Sequence, residues 1–166
     1  MADRESYDTL VTRALSDIDE ILPWDLEALL TDAPDAQDVP DVRGDVPLLI
    51  DVREESEFAA GYIPRSINIP RGILEAACDY GFAETNVALV KARERRIVVI
   101  CRSGRRSALA AITLCELGYG QVQSLKLGVK GWNDSDFPLT TPRGEIVDGE
   151  VAEKFLTPAI SAEQMG

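Results

Sequence analysis

Hydrophobic residues change their spacing several times along this chain, and each change marks a predicted element. Residues 7–16 place Leu10, Val11, Ala14 and Leu15 on one face at helical spacing, which predicts a short amphipathic lead-in helix. In "IDEILPWDLEALL" a short extended piece runs into a proline near a helix start, and the helix carries Leu26, Leu29 and Leu30 on one side. Residues 31–45 then shift to Asp, Pro, Ala and Gly with little apolar content, the pattern of an acidic, solvated loop. "VPLLIDV" is a continuous apolar run ending at Asp51, as expected of a strand buried on both faces with a polar carboxyl end. "SINIP" and "RIVVIC" predict further buried strands and "QVQSLKL" a weaker one. Helical patterns fall between them at 54–60, at 72–78 with a continuation through 87–93, and at 107–117. Strands alternating with helices predict an α/β fold with a mostly parallel sheet covered on both sides. Ligands of such sheets bind beyond the carboxyl ends of the strands, where Asp51 and Cys101 both lie.

Composition narrows the function classes. With 166 residues and 45% hydrophobic content the chain has enough material for one well-buried core, so one domain with extensions is expected. A formal net charge of -12 argues against nonspecific attraction to nucleic acid or to an anionic membrane, and neither is expected as a partner. The amino-terminal residues show no basic head followed by an apolar core, and no apolar run approaches a bilayer span, so a cytoplasmic location is expected. The three cysteines, Cys78, Cys101 and Cys115, form no CxxC pair, and the chain contains no histidine. This argues against a zinc site and a disulfide framework, and it removes every Cys-His or Ser-His catalytic pair. No metal is expected.

The stretch "VVICRSGRRSALAA" concentrates positive charge around one thiol in an otherwise acidic chain. Residues 101–107 join a buried strand to a helix, so backbone N–H groups can converge on one spot while the helix amino terminus adds partial positive charge. Gly104 permits a tight curl, and Arg102, Arg105 and Arg106 add cations. These features favour thiolate over thiol and predict that Cys101 is nucleophilic near neutral pH. A cysteine ending a strand is more often a small core residue, and an arginine cluster is usually a solvated face. The conjunction of both with a glycine turn is what points to chemistry.

"LLIDVREESEFAAGYIPRSINIP", "IVVICRSGRRSALAA" and "SLKLGVKGWNDSDFPL", in that order over residues 21–139, resemble a single-domain rhodanese, a sulfurtransferase family. The resemblance implies a rhodanese-like fold with a central five-stranded parallel sheet flanked by helices. It also implies that Cys101 accepts a sulfane sulfur from thiosulfate or a persulfide donor and passes it to a thiol, cyanide or protein acceptor. The intermediate is then a covalent cysteine persulfide, with no other cofactor. Arg102, Ser103, Gly104, Arg105 and Arg106 become the substrate-binding loop, Arg102 and Arg105 neutralise an anionic donor, and loop amides stabilise the terminal sulfur. Sulfite leaves readily, so no general acid is needed. Asp51 and Arg53 match a recurrent acidic-basic pair of the family and are expected to support the loop, Asp51 by accepting its N–H groups and Arg53 by pairing with Glu57 or a neighbouring carboxylate. Ser107 is expected to cap the following helix.

Tyr62 stands where the family usually has histidine, Arg65 and Ser66 replace a usual Gly-Ala pair, and Leu127 occupies the first position of a usual Gly-Gly pair. None of these supplies the nucleophile. Cysteine-dependent phosphatases, some sharing this fold, place five residues between the cysteine and an arginine followed by Ser or Thr. Here Arg106 and Ser107 follow after a gap one residue shorter, which favours a persulfide sulfur over a tetrahedral oxyanion. A phosphatase or arsenate reductase is therefore the weaker reading, and a binding or regulatory module without chemistry has no need of this loop.

The expected organisation is a helical extension at 1–17, the main domain at 18–141 including the 31–45 loop, and a carboxyl-terminal extension at 142–166. That tail carries Ile146, Val147, Val151, Phe155, Leu156 and Ile160, too apolar for a plain disordered tail. Wrapping the domain, docking on a partner and forming a homodimer all fit it. Cys78 and Cys115 are expected to be packed helix residues rather than resolving thiols. Trp132 is expected to pack at the fold's edge, and Trp24 to lie in the core or at a helix-start contact.

Overall fold

The structure, a computed structural model, describes residues 5–32 and 46–165. Its elements run α1 (Tyr7–Asp17), β1 (Asp19–Ile21), α2 (Pro23–Thr31), β2 (Leu48–Asp51), α3 (Glu55–Ala60), β3 (Ile67–Asn68), α4 (Leu74–Ala77), α5 (Val87–Val90), β4 (Arg96–Ile100), α6 (Arg105–Glu116), β5 (Gln121–Leu125), α7 (Gly128–Asp134), β6 (Leu139–Thr140), β7 (Ile146–Val147), α8 (Gly149–Leu156) and α9 (Ala162–Met165). The acidic loop expected at 31–45 lies, from residue 33 onward, outside the described residues, and Thr31 belongs to α2 instead.

Five strands form one parallel sheet in the order β1-β5-β4-β2-β3. Successive residues of β4 point to opposite faces, which is why an unbroken apolar run is needed. Ile97 and Val99 join a core with Leu74 and Ala77 of α4, Leu89 of α5 and Ala111 and Leu114 of α6. Val98 and Ile100 join a second core with Leu26 of α2, Val129 and Trp132 of α7, and Ala152 and Leu156 of α8. The chain leaves β2 for β3 on one side and returns to β4 on the other, so the sheet switches direction between β2 and β4. Asp51 pairs in register with Ile100 at that point, which sets Asp51 and Cys101 beside the crevice where open α/β sheets bind ligands.

Both ends of the chain pack on this framework. Helix α1 lays Val11 and Ala14 against Ala108 of α6. The tail folds back: β7 pairs antiparallel with β6, and Thr140 exchanges backbone hydrogen bonds with Tyr62 at 2.9 Å. Helix α8 then buries Ala152 and Leu156 in the second core, so wrapping accounts for these tail residues.

Several local expectations are corrected. The helix expected from 72 through 93 is broken, because Gly81 turns the chain at φ 97° and Asn86 caps a separate α5 by accepting the Leu89 N–H. Strand β3 is only half-buried. Trp24 is 51% exposed, while Trp132 is buried with its indole N–H donating to Pro138 O. Just past α5, whose carboxyl cap is Lys91, Arg93 reaches the carbonyls of Val90, Cys78 and Leu117 and stacks over Tyr119, and Arg96 opens β4.

Candidate active site

Strand β4 ends at Ile100, and the next residue, Cys101, is 1% exposed. Gly104 turns the chain with φ 89°, and α6 begins at Arg105, two residues earlier than the sequence pattern suggests. A side chain at Gly104 would be strained by that φ and would crowd Leu127 N and Leu125 O. The first amides of α6, on Arg105, Arg106 and Ser107, have no intrahelical acceptor. Among the described residues, they and the Ser103 N–H donate to no protein group. The Gly104 N–H donates to Cys101 Sγ at 3.1 Å.

Helix α7 holds the loop from behind. Val129 N–H donates to Cys101 O and Lys130 N–H to Arg102 O, each at 2.9 Å. A Cβ on Gly128 would lie 2.3 Å from Cys101 O, so only glycine allows this approach. Leu127, in place of the usual first glycine, adopts φ 65° and remains exposed.

Ser107 is not a cap. It is fully buried in the first turn of α6, with its hydroxyl 3.3 Å from Cys101 Sγ and 2.8 Å from the hydroxyl of Ser124 on β5. If Ser124 donates to Ser107 and Ser107 to the sulfur, both hydroxyl hydrogens are used and the sulfur is met as an acceptor, which suits an anion. Sequence reasoning missed Ser124. A serine within a strand carries no local signal, and only the pairing of β5 with β4 brings it under the helix.

The support role expected of Asp51 is also different in detail. Its carboxylate takes no loop amide and instead clamps Arg53, whose Nε lies 3.0 and 3.1 Å from the two oxygens and whose Nη2 lies 2.7 Å from Oδ2. Both residues are buried. Arg53 also donates to the carbonyls of Glu57, within α3, and Gly61, its carboxyl cap, which ties that helix to β2. That leaves the Glu57 carboxylate for Arg106, which it meets bidentately at 2.7 Å on both oxygens. Hydrogen bonding from Arg106 holds the Glu57 carboxyl below the usual carboxylate range against the opposing effect of burial. Arg106 is raised in turn, by Glu57 first and by the charge of Cys101 as a smaller contribution.

Arg105 is bound by Asp8 of α1 and lies over the Tyr7 ring, 4.5 Å from its centroid. Arg102 is half-buried, and among the described residues its guanidinium has no carboxylate partner. Ser103 is exposed at the loop's outer face. The predicted loop residues are therefore together, but two of its three arginines are already paired.

The other cysteines lie apart from this chemistry. Cys78 is buried against α5, and burial pushes its thiol up. Cys115 sits near the far end of α6, about 15 Å along the helix from Arg105 at 1.5 Å per residue. Although Cys115 is exposed, partial desolvation raises its thiol as well, with the Glu116 charge adding. Among the described residues no cluster of acidic residues and cysteines has the arrangement of a metal site, and no helix is long and apolar enough to cross a membrane.

Comparison with known proteins agrees with this fold. A family model described as a rhodanese-like domain matches residues 30–135. A sulfurtransferase of Allochromatium vinosum is 31% identical over 120 residues, spanning 72% of this chain and 95% of its own length. Among solved structures, a Rhodopseudomonas palustris protein of unknown function, described as a possible tyrosine phosphatase, superposes with TM-score 0.69 at 24% identity over 84% of this chain and 97% of that one. A rhodanese-related protein of Thermoplasma volcanium gives TM-score 0.54 at 25% identity over 74% and 97%.

Proposed function

This chain belongs to the rhodanese-like domain family, and we propose that within it Cys101 is the sulfur-accepting nucleophile of a sulfurtransferase or persulfide carrier. The observation that carries the reading is the sulfur's setting: Sγ accepts the Gly104 N–H, touches the Ser107 hydroxyl, and lies at the head of α6 among N–H groups with no protein acceptor. Each of these favours negative charge on sulfur and offers donors to a second sulfur bonded to it.

The reaction is a double displacement. Cys101 thiolate attacks the outer sulfur of thiosulfate or of a donor persulfide. The new S–S bond forms as the donor's S–S bond breaks, and the electron pair leaves on sulfite or on the donor's thiolate. A thiol, protein thiol or cyanide then attacks the outer sulfur of the Cys101 persulfide and regenerates the thiolate. No net oxidant or reductant is consumed. With Cys101 1% exposed, the cradle admits a single sulfur more readily than a bulky group. Arg102 is the loop cation left to meet an anionic donor.

Intact and peptide mass spectrometry after incubation with thiosulfate, and separately with a persulfide donor, tests this reading. A cyanide-removable gain of one sulfur on the Cys101 peptide, absent in Cys101→Ser, is expected. No gain from any donor would overturn it. Turnover of an aryl phosphate would instead revive the phosphatase reading, which the short loop disfavours.

A further inference from the structure

The loop's three arginines do not present three free charges. Glu57 takes Arg106 from within the domain. Asp8 takes Arg105 from outside the segment that the family model matches, because α1 precedes residue 30. The placement of Asp8 is built in. Ser6 caps α1 by accepting the Thr9 N–H, and Val11, one turn after Asp8, is buried with Ala14 against Ala108 of α6. The face that carries Asp8 therefore meets the first turn of α6, with Tyr7 forming a platform under the guanidinium.

Stability alone gives little reason for this contact. The Arg105 and Asp8 side chains are 41% and 79% exposed, a setting in which an ion pair adds little to stability. What the pair does change is the field at the mouth of the thiol cradle, since Arg105 directly follows the residue whose N–H meets Cys101 Sγ. With Asp8 in place, among the described residues only Arg102 of the three lacks a carboxylate partner.

We propose that Asp8 is a specificity-determining residue of the Cys101 site. By neutralising Arg105, it biases sulfur loading away from dianionic donors such as thiosulfate and toward thiol persulfides of lower charge. The inference rests on the sulfur-transfer reading above and assigns a donor class to it. The amino-terminal helix is then part of the site rather than an appendage.

The test compares sulfur loading of the full chain from thiosulfate and from the persulfide of a small aminothiol, whose ammonium offsets the persulfide charge. Restoring one positive charge about 8 Å from a bound dianion is worth about fivefold in water-like surroundings. Asp8→Asn is accordingly expected to raise kcat/KM for thiosulfate about fivefold through KM, and to leave the aminothiol persulfide within about twofold. Asp8→Glu should keep the wild-type ratio. Adding Arg105→Gln to Asp8→Asn should remove the gain, and salt should shrink it. A merely structural contact would alter thermal stability and both donors alike, and an unchanged donor ratio in Asp8→Asn overturns the inference while the sulfur-transfer reading stands. Wild-type protein that takes sulfur from neither donor overturns both.

Discussion

Helix α6 carries a thiol near each of its ends, and the two could hardly be treated more differently. At the amino end Cys101 is enclosed, meets a backbone N–H and a buried hydroxyl, and has arginines on the first turn of the helix. At the carboxyl end Cys115 is exposed and lines a polar groove of about 490 Å³ with Asp17, Asp19 and Arg96 at the amino edge of the sheet. Helix polarity adds to the difference, since the amino end favours an anion and the carboxyl end disfavours one. A cysteine is thus assigned a role by which end of the dipole it occupies and by what fixes the loop around it.

The sharpest break in that comparison is at the buried pair. Removing one partner of a buried ion pair leaves an uncompensated charge, so Arg53→Met should cost about 3–5 kcal/mol in denaturant unfolding. At the opposite edge, Arg96 is half-buried and donates to the Gln123 side chain, and Arg96→Met should cost about 1 kcal/mol or less. Equal losses would erase the distinction between a supported end and an unsupported one.

Next in size is the reactivity of Cys115. Its thiol is raised, so near neutral pH only the small thiolate fraction reacts. Alkylation of Cys115 by iodoacetamide, followed by peptide mass spectrometry in Cys101→Ser, should slow by about tenfold for each pH unit lowered. A rate that stayed flat through the neutral range would overturn the raised value of Cys115.

Ser107→Ala sharpens the comparison from the other side. It removes the hydroxyl from Cys101 and leaves Ser124 Oγ without its partner, at a cost of about 1–3 kcal/mol. Sulfur loading should fall by about tenfold, and Ser124→Ala should have the smaller effect because Ser107 still reaches the sulfur.

Acid should loosen the Cys101 end through Glu57. Its folded-state value is depressed below the reference of 4.5, chiefly by the Arg106 hydrogen bond. The stabilisation it contributes is therefore fully present above that reference and lost as pH falls through the lower folded value. Tm should drop more for the wild type than for Glu57→Gln between about pH 5 and about pH 3. The smallest effect belongs to Leu127→Gly, which relieves a positive φ but loosens the unfolded chain, for a net change of about 1 kcal/mol or less in thermal melting.

Much of this was legible in the sequence because it is local or periodic. The double-faced apolar run of β4, the glycine turn and the cysteine at the strand end are neighbours along the chain, and three motif blocks in order carried the family. What escaped reading depends on distant partners. Asp8 meets Arg105 across most of the chain, Ser124 reaches Ser107 only through strand pairing, and the Asp51 carboxylate takes Arg53 rather than the loop amides, the guanidinium offering it a forked set of donors. The break within 72–93 was different in kind. Gly81 and Asn86 are ordinary breaker and cap residues, and they outweighed the helical spacing around them.

The backing of the loop by α7 bears on how the fold can change over evolutionary time. Cys101 O and Arg102 O are each tied to a successive amide of α7, across a gap that only Gly128 permits. A residue inserted between Cys101 and Arg102 would shift one carbonyl out of step with its amide, whereas one inserted after Arg102 would leave both ties in place. The first half of the loop is thus anchored by α7, and any change in loop length falls to the turn at Ser103 and Gly104, between that anchor and the start of α6.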